Sequence, residues 1–117
     1  MRYTVLIADD SKLQRVIVKE NLKDIYDVAE ASGGQECLDL VEHSAGKIDA
    51  VLLDIVMPEM DGYEVLQHLK SNPETTDIPV IIMSALSDMQ SIVKGYQLGA
   101  TEYVTKPFQR EELVKRV

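Results

Sequence analysis

With 117 residues, 45% of them hydrophobic and 27% charged, the chain has material for one well-buried core across residues 1–117, and its composition is not that of a disordered tract. Its net charge of −8, without any Lys/Arg stripe interleaved with aromatics, argues against direct binding to nucleic acid or to an anionic membrane surface. No apolar run approaches the roughly 20 residues needed to span a bilayer.

Met1-Arg2-Tyr3-Thr4 leads straight into an apolar run, Tyr3 to Ala8, which is continuous as an interior strand buried on both faces should be. That run closes on Asp9-Asp10, which is not how a secretory signal ends. Ser11 followed by Gln14 has the spacing of a helix cap, and Leu13, Val16 and Ile17 form the expected buried stripe behind it. The second run, Tyr26 to Ala31, alternates and suits an edge strand. Ser32 with Gln35 opens a second helix, in which Cys37, Leu38 and Val41 share one face. Cys37 has no second cysteine to pair with and reads as core filler, so a reducing, cytoplasmic setting is expected.

A third run, Ala50 to Leu53, ends in Asp54; Asp61 with Glu64 then starts a third helix whose stripe is Leu66 and Leu69. The fourth run, Pro79 to Ser84, precedes a helix announced by Ser87 with Gln90 and striped by Met89, Ile92, Val93 and Tyr96. The fifth, Tyr103 to Thr105, meets Lys106-Pro107, and a last helix begins after Phe108 and has reached only Leu113, Val114 and Val117. Either that helix is short or the sequence is a piece of something longer. Strands alternating with helices in this way predict an α/β fold with a parallel sheet covered on both faces.

In an open parallel sheet, ligands bind beyond the carboxyl ends of the strands, where the winding reverses. Those ends here supply Asp9, Asp10, Asp54, Ser84 and Lys106. Any one of the acids alone would be read as a helix cap. As a set they are not caps, since Asp54 is followed by Ile55-Val56-Met57-Pro58, well before the helix that starts near Gly62. Clustered carboxylates make a hard-cation site, and an open one with few protein ligands suits Mg²⁺ shared with phosphate oxygens. An aspartate beside such a cation can accept a phosphoryl group, with Lys106 supplying further positive charge and Ser84 a hydrogen bond.

Asp9-Asp10, Asp54 with Met57-Pro58 and Asp61-Gly62 after it, Ser84-Ala85, Gly99-Ala100 and Lys106-Pro107-Phe108 together resemble the receiver domain of two-component response regulators, from Tyr3 to the last helix. The resemblance implies a flavodoxin-like doubly wound sheet of order 2-1-3-4-5. It implies that Asp54 is phosphorylated from a histidine kinase or histidine phosphotransfer protein, that Asp10 ligates Mg²⁺ directly while Asp9 acts through water, and that the Val56 carbonyl completes the metal's protein ligands. Lys106 would pair with the phosphoryl group, and the Lys106-Pro107 bond would be cis. Ser84 and Tyr103 would form the switch that reshapes the face of the fourth helix, fifth strand and fifth helix for a downstream output domain or protein.

Ser84 stands where many relatives have Thr, and apolar Val56 and Leu86 occupy the two variable positions flanking the site, which implies slow loss of the phosphoryl group. A phosphatase with an aspartate nucleophile is the enzymatic rival, but such enzymes place a second acid two residues on, where this chain has Val56. A receiver-like module that is never phosphorylated would be expected to lose Asp54 or Lys106. His43 and His68 lie on helices without partners at ligand spacing and read as solvated residues.

Overall fold

The structure, a computed structural model, describes residues 2–44, 46–108 and 111. Strand β1 (Thr4–Ala8) is followed by α1 (Lys12–Leu22), β2 (Asp27–Ala31), α2 (Gly34–His43), β3 (Ala50–Leu53), α3 (Gly62–Ser71), β4 (Val80–Ser84), α4 (Met89–Gln97) and β5 (Glu102–Thr105). All neighbouring strands run parallel, in the order β2-β1-β3-β4-β5. The alternating run β2 lies at an edge, and the continuous runs β1, β3 and β4 are interior. The last helix expected from the sequence lies outside the described residues, apart from the helical Glu111.

The period of two along each strand divides the core into two layers. Leu6, Ala8, Val51, Leu53, Val80 and Ile82 meet Cys37, Leu38 and Val41 of α2 and Val65, Leu66 and Leu69 of α3. On the opposite face Val5, Ile7, Leu52, Ile81 and Met83 meet Val18 and Leu22 of α1. Cys37 is wholly buried, and burial pushes its thiol up to about 12.

Two helices present a different stripe from the one their spacing suggests. In α1, Leu13, Val16 and Ile17 are exposed, and Val18 and Leu22 face the sheet. In α4, Met89, Val93 and Tyr96 are exposed, while Gly95 is the buried residue. A Cβ on Gly95 would stand 2.8 Å from Ile82 Cδ1 and 3.2 Å from the Tyr103 ring, so α4 approaches the sheet along its smallest residue. Spacing identifies an apolar stripe; the closest approach of the helix decides which stripe turns inward.

Two caps also move by one residue. Gly33 precedes α2, while the Ser32 hydroxyl and amide donate to Glu36. Asp88, not Ser87, caps α4 by accepting from the Ser91 amide, an acceptor with two oxygens displacing the neighbouring hydroxyl. Ser11 and Asp61 cap α1 and α3 as expected, through the amides of Gln14 and Glu64.

Candidate functional site

The chain winds outward from β1 in one direction to β2 and in the other to β3, so the winding reverses between β1 and β3, and backbone hydrogen bonds continue past the strand ends. The Asp9 amide donates to Ala31 O at 3.1 Å, that of Asp54 to Ala8 O at 2.9 Å, and that of Lys106 to Ser84 O at 2.8 Å. Residues from three strand ends are thereby held at one rim of the sheet. Carboxylate oxygens of Asp9, Asp10 and Asp54 all lie within 4.8 Å of one another.

Asp9 is 1% exposed, and both its oxygens are engaged: Oδ1 accepts from the Ser11 amide at 2.9 Å and Oδ2 from Lys106 Nζ at 2.9 Å. Lys106 Nζ also stands 3.5 Å from Asp54 Oδ2. Asp54 is buried, and its Oδ1 accepts from the Val56 amide. Burial pushes the Asp54 carboxyl above the usual carboxylate range, Lys106 opposes that shift and the Asp9 charge reinforces it. Asp10 is exposed, and its carboxylate makes no hydrogen bond or ion pair among the described residues.

The donor set fits a small hard cation. An octahedral ion with oxygens at about 2.1 Å needs them about 3 to 4 Å apart, a spacing this cluster can supply, and Asp10 has no competing partner to give up. Mg²⁺ bound here would draw on Asp10, Asp54 and Asp9, with water completing its shell.

Gly62 is what lets the loop after β3 close. A Cβ there would stand 2.3 Å from the Asp54 carbonyl oxygen and 2.7 Å from Ile55 Cα, and the Gly62 amide donates to Ile55 O at 2.8 Å. The same loop turns through Glu59, which has φ 68°, in the left-handed region.

Ser84 is wholly buried at the end of β4, and its hydroxyl accepts from the Leu86 amide at 3.1 Å. No hydrogen bond joins it to Asp54 among the described residues. The Tyr103 hydroxyl donates to the Leu86 carbonyl at 2.6 Å, so both backbone groups of Leu86 are held, one by each residue. Tyr103 is only 9% exposed, and burial raises its phenol above the ordinary value. Val56 is 61% exposed beside Asp54, and the Lys106-Pro107 bond is cis.

The family model for the response regulator receiver domain matches residues 5–117. The chain belongs to that family. Among curated relatives, the receiver is 41% identical over 114 residues to a probable cyclic di-GMP phosphodiesterase of Vibrio cholerae, covering 97% of this chain and 25% of that protein. It is 36% identical to the response regulator MprA of Mycolicibacterium vanbaalenii, covering 100% of this chain and 49% of the relative. A chain of the CheX-CheY-BeF3-Mg²⁺ complex from Borrelia burgdorferi superposes with a TM-score of 0.92 at 28% identity, covering 97% of this chain and 85% of that one. The receiver spans less than half the length of the curated relatives it matches first.

His43 and His68 stand apart from the site: His43 Nδ1 lies 2.7 Å from Asp39 O within its own helix, and His68 is exposed on α3. Arg15 and Glu30, which spacing did not single out, reach the site from behind. Arg15 Nη1 donates to the Asp9 carbonyl at 2.7 Å and its Nε to Glu30 Oε1 at 3.2 Å. A charged residue on a helix or an edge strand looks solvated in sequence, and nothing local marks it otherwise. Among the described residues, no helix is long and apolar enough to cross a membrane.

Proposed function

We propose that this receiver is a phosphorylation-driven switch in a two-component relay, accepting a phosphoryl group on Asp54 from a histidine kinase or histidine phosphotransfer protein. The observation that carries the reading is Asp54 itself, a buried carboxylate at a strand end with two other acids within 4.8 Å and a lysine ammonium at 3.5 Å. An Asp54 oxygen attacks phosphorus, the P–N bond to the donor imidazole breaks, and the imidazole keeps the electron pair of that bond. The product is an acyl phosphate. Bound Mg²⁺ supplies charge neutralisation for the phosphoryl oxygens.

Lys106 serves the same end from the protein side: it now bridges Asp9 and Asp54, and it follows the negative charge when phosphoryl oxygens arrive. Ser84 exchanges its bond with the Leu86 amide for one to a phosphoryl oxygen, and Leu86, held also by Tyr103, carries the change to α4 and β5. A full switch needs about 5.5 kcal/mol of preference for the active state. Exposed Val56 and part-buried Leu86 place hydrocarbon where a polar group would orient attacking water, so the acyl phosphate is long-lived. The domain works in the cytoplasm, touches neither nucleic acid nor membrane itself, and signals through a downstream output domain or protein.

The test is mass spectrometry after incubation with Mg²⁺ and acetyl phosphate, beside Asp54→Asn. A Mg²⁺-dependent, hydroxylamine-labile adduct absent from the variant is expected. An adduct that persists in Asp54→Asn, or none from either acetyl phosphate or a phosphorylated phosphotransfer domain, overturns the reading.

A further inference from the structure

The acids of the site are held from behind by a charged pair. The Arg15 side chain on α1 is only 14% exposed, and its Nη1 donates to the main-chain carbonyl of Asp9 at 2.7 Å. Glu30, facing it from β2, accepts from Arg15 Nε at 3.2 Å, and Lys19 Nζ stands 3.7 Å from the other oxygen of the same carboxylate.

The Asp9 carbonyl belongs to the peptide plane that joins Asp9 to Asp10. Every other polar atom of Asp9 is already committed, its amide to Ala31, its carboxylate to Ser11 and Lys106. Asp10 has no side-chain partner among the described residues, so only its backbone aims its carboxylate, and Arg15 fixes the plane that precedes it. A charge-assisted hydrogen bond is short and directional enough for that task. A bare guanidinium beside a divalent-cation site would repel the cation, however, and the Glu30 carboxylate offsets its charge while holding the fork in one orientation.

We propose that Arg15 and Glu30 are positioning residues for the cation site: Arg15 sets the Asp9-Asp10 peptide so that the Asp10 carboxylate faces Asp54, and Glu30 aims and neutralises Arg15. The proposal rests on reading Asp9, Asp10 and Asp54 as a Mg²⁺ site. Groups bonded behind metal ligands tune affinity without touching the metal.

The experiment is a nuclear magnetic resonance titration of the 117-residue chain with MgCl₂, following the Ser11 and Val56 amides, for the unaltered protein, Arg15→Met, Arg15→Lys, Glu30→Gln and Asp10→Asn. Arg15→Met is expected to raise the Mg²⁺ dissociation constant about tenfold, and Arg15→Lys, whose ammonium still reaches the Asp9 carbonyl, to recover part of it. Glu30→Gln should weaken binding at low salt, with the loss shrinking at about 0.5 M NaCl, because the unneutralised guanidinium is then screened. A folded Arg15→Met that melts earlier yet binds Mg²⁺ within about twofold of the unaltered chain has lost only a structural tie, and the proposal falls. If Arg15→Met does not fold, an unchanged Mg²⁺ affinity of Glu30→Gln at both salt levels overturns it instead. An unaltered chain with no saturable Mg²⁺ response removes the cation site and the proposal together, whereas binding lost in Asp10→Asn but kept in Arg15→Met refutes the role of Arg15 alone.

Discussion

Replacing Lys106 by Met leaves two buried carboxylates facing each other with their shared cation gone. Lys106 Nζ lies 2.9 Å from Asp9 Oδ2 and 3.5 Å from Asp54 Oδ2, with the lysine side chain 15% exposed and that of Asp9 1%. At an effective dielectric of about 20 these contacts correspond to roughly 6 and 5 kcal/mol of attraction, much of it offset by the desolvation of all three groups. Removing one partner of a buried pair costs about 3 kcal/mol net, because a charge is left without compensation. For a chain of this length, that lowers the melting temperature by about 10 °C at pH 7 without divalent cations. The loss should narrow as pH falls into the range where Asp54 takes up a proton, since a neutral carboxyl no longer needs the lysine. It should narrow again on adding Mg²⁺ at pH 7, which supplies the missing charge. Thermal melts followed by circular dichroism across pH 4.5–8, with and without MgCl₂, measure all three effects. A loss below about 1 kcal/mol that neither pH nor Mg²⁺ changes would refute the argument that Lys106 compensates the acid pair.

Asp54→Asn should stabilise the metal-free chain at neutral pH. Burial raises the Asp54 pKa, so the folded state binds the proton more tightly than the unfolded one, and stability falls as pH rises from the ordinary carboxylate value through the raised one; denaturant melts at pH 4 and pH 7 should show the variant's advantage only at the higher pH. Gly62→Ala drives a methyl group against the Asp54 carbonyl and Ile55 Cα, both backbone, and should cost about 3 kcal/mol by urea denaturation, whereas a cost under about 0.5 kcal/mol means that the loop is free to shift. Cys37, buried with its thiol pushed up to about 12, should react with an aromatic disulfide reagent at pH 8 only as fast as the fold opens; prompt stoichiometric labelling of the native chain would contradict its placement in the core.

The interior strands were legible because their runs are continuous, and β1, β3 and β5 each run into a charged residue, so Asp9, Asp54 and Lys106 marked both strand ends and the candidate site. Sequence spacing alone also placed the caps at Ser11 and Asp61, where one acceptor sits three residues before the amide it serves. Where two candidate acceptors were adjacent, as at Ser87-Asp88, only the path of the chain chose between them. The apolar stripes of α1 and α4 were visible but not their direction: periodicity fixes a face relative to the helix axis and carries no information about rotation against the sheet. In α4 that rotation follows from Gly95, a gap into which Ile82 and Tyr103 fit.

The succession of strands and helices, the three candidate acids and the lysine, and the core role of Cys37 were thus legible in the sequence, since apolar runs, charge and chain order are properties of residues in succession, while the order of strands within the sheet came with the family resemblance. Tertiary structure alone decided that Lys106 reaches Asp9 across 97 positions of chain and stands beside Asp54 as well, that Arg15 and Glu30 meet behind Asp9, and that Ser84 and Tyr103 converge on Leu86. Each of these joins residues from different strands or helices, and their distances are set by how the parallel sheet twists and packs.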